Sequence, residues 1–407
     1  MKWLSLTVPV TVLIVAVFLI YGNLKEATFH EKNLNSEQNK IVVKGDDNLV
    51  LAPSGKLNHI GWAKNPLPFK MNPEFIRAST SIAKFVNPYR YKKWEYYLFT
   101  SKDFMFGFAV FDFAFIKGHI FFFSDLEKPD SLIKKIEQIG LFHNAEIPDT
   151  CVKNCISAKY SNDGSGIQSA EFRKVNPNSH SIKLKAVTAD INLEVDVKID
   201  TPTKDSDHYV GFVPISEDST SFFFTTKTNL LLPKGVIKIN NKEVKTDDFM
   251  VLHDSGRGVW PVRSGWIWAS ANGKTKDNSS LIGFNFGHGF SHPASSRSTE
   301  DIFFVDGKGF KLSAVKTILP NKLYDEAPDL NSFVVDLENQ QKEGENYCSI
   351  KFKIKRRALF NKVYFFLLNV RIVISYGNYV GRCVTNDGKV YEFDEVYGIL
   401  EHNMALW

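Results

Sequence analysis

Short runs in which apolar and polar residues alternate recur along most of this 407-residue chain, and turn-forming residues separate them. Because successive side chains of a strand point to opposite faces, this period of two predicts strands with one buried face. The 34 Phe, 14 Tyr and 7 Trp residues also favour strands. Clear examples are Phe104–Phe115, Asp190–Ile199, Ser221–Leu232, Gly265–Ser270, Leu281–Phe286, Tyr347–Lys355, Val363–Ser375 and Tyr379–Thr385. The sequence therefore predicts an all-β body.

Short connections between many strands favour antiparallel barrels or sandwiches, because open sheet edges have to be covered. Asp306-Gly307 and Asn386-Asp387-Gly388 lie between such runs and are typical of tight turns. A single core stops growing at about 250–300 residues, so we expect two barrels or sandwiches, residues 49–205 and residues 206–407.

One segment favours a helix instead. In Ser131–Ile139, the side chains of Leu132, Ile136 and Ile139 fall on one stripe, and Gly140 follows as a stop signal. The sequence predicts a helix there.

The uncharged stretch Trp3–Tyr21 reaches the length of about 20 residues that a membrane-spanning helix needs. A cleaved signal peptide is the main alternative, but bulky Ile20 stands where cleavage after Gly22 would require a small side chain. A buried core helix is a third interpretation. We expect an uncleaved signal-anchor helix over residues 3–21, followed by a polar tether over residues 22–48.

The basic residues that flank the expected membrane span favour neither orientation, because Lys2 lies on one side of it and Lys25 and Lys32 lie on the other. An even number of cysteines and the sequon that begins at Asn278 favour a lumenal or extracellular body. The sequence thus predicts a membrane as one partner and glycosylation at Asn278.

The four cysteines leave their pairing open. Cys348 and Cys383 lie on separate predicted strands and would pair if those strands were neighbours, whereas the spacing of Cys151 and Cys155 fits a disulfide poorly. Free buried thiols are the more ordinary state.

Charge and motifs exclude several function classes. Fifty basic and 45 acidic residues are spread evenly, without a basic run that could follow a phosphate backbone, so the sequence does not support nucleic-acid binding. Nucleophile elbows, phosphate-binding loops, dinucleotide fingerprints and zinc-protease helices are also missing. No cofactor is expected.

Several stretches occur in an order that resembles the family of the domain of unknown function numbered 2804. They are Gly55-Lys56-Leu57-Asn58, Val210-Gly211-Phe212-Val213-Pro214, His253 to Pro261, Trp266-Ile267-Trp268-Ala269-Ser270, Gly283-Phe284-Asn285-Phe286-Gly287 and Tyr376-Gly377-Asn378-Tyr379-Val380-Gly381. The resemblance covers residues 49–407 and supplies no reaction. At the level of fold, the β-rich make-up looks like that of double lipocalin-type hydratases and pericyclic enzymes. This analogy implies two lipocalin-like halves and does not carry function.

His253, Asp254 and Arg257 follow a strand-like run and lead into a Gly-rich segment that ends at Trp260. An Asp254–Arg257 ion pair that holds a turn is the structural interpretation. The functional interpretation makes His253 or Asp254 a proton carrier and places Arg257 and Trp260 against a ligand.

Trp266 and Trp268 are two residues apart and should face the same side of one strand, while Asn285 points away from its flanking Phe residues. Inside a small barrel these three side chains would form an apolar pocket with a polar group, which is the usual form of a small-molecule site. A filled core with a satisfied Asn is an equally good interpretation.

His288, His292 and Glu300 have the chemistry of metal ligands, but Gly287 and Gly289 argue against the helix that would align the two imidazoles. We predict no metal site. Lys227 is expected to lie on the exposed face of its strand.

Three hypotheses follow. The first is a membrane-anchored β-barrel protein that binds a hydrophobic small molecule or lipid through Asp254, Arg257 and Asn285. The second is a cofactor-independent hydratase or isomerase in which His253 or Asp254 moves the proton. The third is a structural scaffold that presents an interaction surface.

Overall fold

The computed structural model describes residues 49–406, apart from 65–69, 78–82, 115, 129–133, 141–143, 152, 163–167, 216–218, 262, 289–299, 320–333 and 365–367. Within these residues the protein is all-β, as predicted, and forms two antiparallel barrel-like sheets. The described helical elements are one α-helix, α1 (Ala83–Arg90), and two short 3-10 turns.

The first sheet contains thirteen described strands. They are β1 (Gly61–Ala63), β2 (Tyr91–Thr100), β3 (Phe104–Asp112), β4 (Lys117–Asp125), β5 (Lys134–Gly140), β6 (Cys155–Asn162), β7 (Gln168–Asn176), β8 (Ser179–Val187), β9 (Asn192–Asp200), β10 (Tyr209–Pro214), β11 (Phe222–Ile239), β12 (Lys242–Val244) and β13 (Met250–Val259). Their main order is β5-β4-β3-β2-β13-β11-β9-β8-β7-β6.

The second sheet contains nine described strands in the order β17-β16-β15-β14-β22-β21-β20-β19-β18. They are β14 (Arg263–Lys274), β15 (Leu281–His288), β16 (Ile302–Val305), β17 (Lys308–Lys311), β18 (Val315–Ile318), β19 (Val334–Asn339), β20 (Tyr347–Tyr364), β21 (Leu368–Val384) and β22 (Val390–Leu406).

Strand β11 holds the two parts of the first sheet together. Its first part pairs with β10 and β13, and its second part pairs with β9 and β12. The register shifts between Thr228 and Leu231, where Leu230 has a φ of 61°. A bulge of this kind bends a strand, so one continuous strand serves both parts of the sheet.

Each sheet encloses its own apolar core. Residues such as Phe106, Phe172 and Ile237 fill the first core, and residues such as Phe284, Phe352 and Val396 fill the second. A third cluster, which includes Tyr96, Phe122, Trp268 and Tyr376, lies where the outer faces of the two sheets meet. The aromatic excess of the sequence is thus distributed over two interiors and the junction between them.

Most of the predicted strands are confirmed. The predicted runs Val363–Ser375 and Tyr379–Thr385 belong to one long strand, β21, because its pairing with β22 continues through a local register shift between Tyr379 and Gly381. Both predicted turns are also confirmed, since Gly307 and Gly388 have φ values of 83° and 85°, which favour glycine.

The predicted helix Ser131–Ile139 is wrong for the part that the structure describes. Residues Lys134–Gly140 form β5, which pairs with β4 so that Ile136 stands opposite Phe121. Pairing with the edge of a sheet has overridden a local helical pattern.

The strands of the first sheet end at Val259, and those of the second begin at Arg263. The predicted domains 49–205 and 206–407 stay a prediction. The signal-anchor helix over residues 3–21 and the tether over residues 22–48 lie outside the described residues. In the part of the chain that is described, no helix is long and apolar enough to cross a membrane.

All four cysteines form disulfides, so the expectation of free thiols is wrong. Cys348 and Cys383 are Cα partners on the neighbouring strands β20 and β21. Cys151 and Cys155 are paired as well. Cys155 is the first residue of β6, and Cys151 lies outside any helix or strand.

Removal of the Cys348–Cys383 disulfide, by changing both residues to Ala, should lower the free energy of unfolding by about 4 kcal/mol, because this disulfide restricts a long loop in the unfolded chain. The matched variant Cys151→Ala/Cys155→Ala opens a loop of sequence separation 4 and should cost about 2 kcal/mol. Urea unfolding without reductant measures both values. Equal losses would contradict loop closure as the source of the stabilisation.

Candidate active site

Residues 253–257 lie inside β13 and not in a turn. Because side chains alternate along a strand, His253 and Arg257 face one side of the first sheet and Asp254 faces the other. The predicted Asp254–Arg257 ion pair is therefore wrong, and the sequence-predicted site residues divide between two clusters.

Glycine lets the strand continue through this segment. A Cβ at Gly256 would lie 2.3 Å from the ring of Trp94, which is closer than any real contact. The glycines interpreted as a turn signal thus allow aromatic rings to pack directly on the backbone of β13.

Glu95 and His253 form the centre of the first cluster. Glu95 stands opposite Ser255 in the pairing of β2 with β13, which places its carboxylate between His253 and Arg257. Its Oε2 atom lies 2.7 Å from Nε2 of His253, and both side chains are 1% exposed. This is a buried carboxylate–imidazole pair.

Positive groups around Glu95 keep it ionised. Its Oε1 atom lies 3.4 Å from Nζ of Lys174 and 3.8 Å from Nη2 of Arg257. Burial acts to raise the pKa of Glu95, but Lys174, the His253 hydrogen bond and Arg257 lower it to about 2. Near neutral pH this carboxylate accepts hydrogen bonds only.

The state of Glu95 determines the tautomer of His253. Burial lowers the pKa of His253 below its ordinary value, although the Glu95 hydrogen bond opposes the shift, so the ring is neutral near pH 7. The ionised carboxylate of Glu95 can only accept a hydrogen bond, so Nε2 of His253 carries the proton and donates it. Nδ1 is then the basic nitrogen, and it is buried without a hydrogen-bond partner.

A cavity of about 90 Å³ opens beside this pair. Its lining is mainly polar and includes Glu95, Lys174, His180, His208, His253 and Arg257. Apolar side chains such as Met71 and Phe224 are a minority of the lining. The cavity therefore suits a ligand with polar groups.

Arg257 is held by backbone carbonyls and keeps one donor spare. Its Nη1 donates to the carbonyls of Trp94 and Gly256, and its Nη2 donates to that of Pro148. Its Nε is buried without a partner. Two residues of the cavity lining thus have a buried ring or guanidinium nitrogen without a partner, namely the donor Nε of Arg257 and the acceptor Nδ1 of His253.

The other two histidines of the lining have hydrogen-bond partners. The ring nitrogens of His208 lie 2.7 Å from Oγ1 of Thr228 and 2.7 Å from Oδ1 of Asn178. Nδ1 of His180 lies 2.8 Å from the hydroxyl of Tyr97, and the His180 ring also makes a hydrogen bond with the backbone of Pro177. His253 is therefore the histidine of this lining that has a spare basic nitrogen.

The second cluster lies on the opposite face of β13, between the two sheets. Lys227 and Asp254 are Cα partners in the pairing of β11 with β13, and their side chains form an ion pair of 2.8 Å. Nζ of Lys227 also lies 3.6 Å from Glu300 and 4.5 Å from the centre of the Trp268 ring. The expectation of an exposed Lys227 is wrong, because this side chain is 6% exposed.

The charged groups of this cluster shift each other's pKa values. Burial opposes the charge of Lys227, but Asp254 and Glu300 raise its pKa above the ordinary value. Burial raises the pKa of Glu300, and Lys227 opposes that shift. Burial and the charge of Asp254 raise the pKa of Glu401 to about 7.

Asn285 is buried in the second cluster. Phe284 and Phe286 point into the core of the second sheet, so Asn285 faces the junction instead. Its Oδ1 accepts from Nε1 of Trp268 at 2.7 Å, and its Nδ2 donates to the backbone carbonyl of Glu300 at 3.1 Å. These bonds match the interpretation of a satisfied Asn.

The remaining predicted residues lie at the same junction. Trp260 packs against Trp94 and Trp266, with ring centres 5.2 and 5.6 Å apart. The structure therefore brings together Asp254, Trp260, Trp266, Trp268 and Asn285, and places His253 and Arg257 in the cavity.

Sequence reasoning missed Glu95, Lys174, Glu300 and Glu401 as members of these clusters. A charged residue inside the apolar run of β2 was a signal for Glu95, because a lone carboxylate among buried positions needs a partner. Glu300 was considered as a metal ligand, but in the structure it faces Lys227. Among the described residues no group of three or more ligating side chains could hold a metal ion, and His292 lies outside them.

The sequence model of a domain of unknown function, DUF2804, matches residues 38–407. A comparison with curated proteins finds no match. The family match confirms the resemblance inferred from the motifs.

Several solved structures are similar. A protein assigned as AttH from Nitrosomonas europaea is 10% identical and has a TM-score of 0.43, with 77% of this chain and 92% of that chain covered. Kievitone hydratase from Nectria haematococca is 9% identical and has a TM-score of 0.44, with 77% of this chain and 88% of that chain covered. CghA with Sch210972 is 8% identical and has a TM-score of 0.46, with 89% of this chain and 97% of that chain covered. At these identities and scores the three structures carry no information about the site.

Glu95→Gln should destabilise the protein in a pH-dependent way. The pKa of Glu95 is about 2 in the folded chain against an ordinary 4.5, so its stabilisation is complete above pH 4.5 and is lost as the pH falls towards 2. The difference from the unmutated protein should be about 3 kcal/mol near pH 6 and shrink steadily below pH 4.5. Urea unfolding across this range measures it.

The control for this experiment is Glu194→Gln, which removes an exposed ion pair with Lys185. Such a pair contributes about 0.5 kcal/mol. A pH-independent loss in Glu95→Gln would show that the carboxylate charge is not what stabilises the cluster.

Proposed function

Because this chain belongs to the DUF2804 family, which supplies no reaction, its function has to be inferred from its own residues, and we propose that it is a proton-transfer enzyme of the hydratase or isomerase type. The observation that carries this proposal is the buried, unpartnered Nδ1 of His253, a residue of the cavity lining, with ionised Glu95 on the opposite ring nitrogen.

The arrangement supports general base chemistry. A carboxylate that holds one imidazole nitrogen leaves the other as a base in a fixed orientation and stabilises the imidazolium that forms. In an isomerisation, Nδ1 of His253 takes a proton from one carbon of the substrate and returns it to another, so the enzyme is unchanged. In a hydration, the water oxygen bonds to one carbon of a C=C bond as its proton passes to Nδ1 of His253. The imidazolium then gives this proton to the neighbouring carbon, so the enzyme is again unchanged.

Arg257 is suited to hold the substrate during this transfer. Removal of a proton next to a carbonyl places negative charge on oxygen, and a fixed guanidinium N–H stabilises such charge. The spare Nε of Arg257 is proposed to be that donor. The sequence-based alternative with Asp254 as proton carrier is less favoured, because Asp254 lies on the other face and is paired with Lys227.

Ligand binding without chemistry remains the second candidate. The sequence hypothesis of a hydrophobic small molecule or lipid is supported by Met71, Pro177 and Phe224 in the lining. The greater number of polar lining residues favours a ligand that also has carbonyl, carboxylate or hydroxyl groups.

We also propose that the body lies on the lumenal or extracellular side of a membrane, anchored by residues 3–21. The two disulfides support this location, because such bonds persist in oxidising compartments. Asn278 supports it too, since its side chain is exposed in the turn between β14 and β15.

The enzyme proposal is tested with the ligand that mass spectrometry recovers from the purified protein. The unmutated protein in D₂O should exchange a proton of this ligand for deuterium, and His253→Gln should slow the exchange by about 10²–10⁴-fold, the usual contribution of a general base. Time-resolved mass spectrometry measures the exchange rate.

The matched control is His208→Gln, because His208 lies in the same lining but both of its ring nitrogens are bonded. It should change the exchange rate little. If the unmutated protein exchanges and turns over none of the recovered ligands, the enzyme proposal fails and binding alone is favoured.

The location is tested by glycosylation of the full chain in eukaryotic cells. Asn278 should carry a glycan that peptide-N-glycosidase removes, because the sequon is exposed. Asn278→Gln and Ser280→Ala should abolish the gel shift, whereas Ser279→Ala should keep it. An unmodified membrane-bound chain would place the body on the cytosolic side.

A further inference from the structure

Lys174 is the cation of the cavity lining that is most open to a ligand. Its side chain is 16% exposed, against 7% for Arg257. Among the described residues, its Nζ atom has one ion-pair partner, Oε1 of Glu95 at 3.4 Å. An ammonium group has three N–H donors, and a single contact leaves at least two of them for a ligand. Lys174 thus combines positive charge with spare hydrogen-bond donors.

Strand pairing brings Lys174 to the cavity from a different part of the first sheet. Lys174 of β7 is the Cα partner of His180 on β8, and the side chains of such partners lie on the same face of a sheet. Both residues belong to the cavity lining, together with Glu95 of β2 and His253 of β13. The lining therefore places a cation of β7 beside the carboxylate–imidazole pair.

The charges at this pair do not cancel. Lys174 and Arg257 both lie within 4 Å of Oε1 of Glu95, so two cations face one carboxylate. The carboxylates of the second cluster lie on the opposite face of β13 and do not line the cavity. One positive charge is thus in excess on this side of the strand.

Asp149, the other carboxylate of the lining, does not offset this excess. It lies 3.3 Å from Nζ of Lys93, which also lies 3.5 Å from Asp112. Asp112 in turn lies 3.2 Å from Nζ of Lys117. Two carboxylates and two ammonium groups balance within this network.

The histidines of the lining add no charge near neutral pH. Burial lowers the pKa values of His180, His208 and His253 below the ordinary value, and the charge of Lys174 acts in the same direction. The excess therefore stays at one positive charge. It matches the single negative charge of a carboxylate better than the roughly 1.5–2 negative charges of a phosphate group at pH 7.

We propose that the substrate is a short-chain carboxylic acid that also has a carbonyl group, and that its carboxylate binds Nζ of Lys174. This inference rests on the proposed function, which assigns the carbonyl oxygen to Arg257 and the transferred proton to His253. Lys174 contacts Oε1 of Glu95 and His253 contacts Oε2, so a chain of few carbons is enough to join the two groups. The cavity volume of about 90 Å³ suits a small ligand, because sites for drug-sized molecules have about 300–1,000 Å³.

The test compares pentanoate with pentanamide, which has the same number of non-hydrogen atoms but no charge, by calorimetry at pH 7 and low ionic strength. The unmutated protein should bind pentanoate at least tenfold more tightly, as a charge-assisted hydrogen bond allows. Added NaCl should reduce this preference, because salt screens a partly exposed charge. 4-Oxopentanoate should bind a few-fold more tightly than pentanoate, because its carbonyl adds an acceptor for Arg257.

Lys174→Met should weaken the binding of pentanoate about tenfold and change that of pentanamide little, whereas Lys174→Arg keeps the charge and should keep the preference. The matched control is Lys183→Met, on an exposed position of the neighbouring strand β8, which should bind both compounds like the unmutated protein. Undiminished binding of pentanoate by a folded Lys174→Met variant would overturn the inference. Equal binding of the two compounds, or binding of neither, by the unmutated protein would also overturn it, even if Lys174→Met does not fold.

This inference and the enzyme proposal can fail separately. A preference for pentanoate that depends on Lys174, without deuterium exchange in any recovered ligand, would contradict the enzyme proposal and keep the carboxylate site. Exchange that depends on His253, in a recovered ligand that has no carboxylate, would contradict the carboxylate site alone.

Discussion

The pairing of β13 with β2 and β11 is the constraint on which both clusters depend. In this register Glu95 stands opposite Ser255 and Lys227 stands opposite Asp254. A shift of one residue would turn every side chain of β13 to the other face. It would move His253 and Arg257 to the junction between the sheets and carry Asp254 to the cavity. One set of strand pairings therefore assembles a carboxylate–imidazole pair on one side and a lysine–aspartate ion pair on the other.

Buried charges are compensated in different ways on the two faces of β13. On the cavity side, Glu95 is surrounded by Lys174, Arg257 and the imidazole of His253. On the junction side, Lys227 is the close cation of Asp254 and Glu300. Burial of charges that are only partly compensated raises the free energy of the folded chain, because the interior has a low dielectric constant. Such charges are expected where they serve binding or catalysis, since structural packing alone would favour apolar residues.

Much of the fold could be predicted from the sequence, because alternation reports directly on which face of a strand is buried. Alternation identifies the strand within Phe104–Phe115, and turn-forming residues identify the Asn386–Gly388 turn. The strand β5 was not, because its spacing of Ile residues satisfies a helix as well as a strand, and pairing with β4 decided between them. Long-range pairing is not visible in a local pattern.

The site could be predicted only as a list of residues. His253, Asp254 and Arg257 were recognised as a group because they are neighbours in sequence, yet alternation should have separated Asp254 from the other two once the segment was treated as a strand. The glycines around them favoured a turn, and that interpretation concealed the alternation. Glu95 is 158 positions from its partner His253, and no local signal joins residues at that distance.

Glu95 and Glu401 differ in how far their own neighbours compensate their charge. Burial acts to raise the pKa of each carboxyl group. Three neighbouring groups reverse that effect for Glu95, whose pKa falls to about 2. Lys227 and the Trp266 hydrogen bond also lower the pKa of Glu401, but burial and Asp254 outweigh them and this pKa rises to about 7. The neighbours of Glu95 therefore fix it as an ionised partner of His253, whereas those of Glu401 leave it close to half protonated at neutral pH.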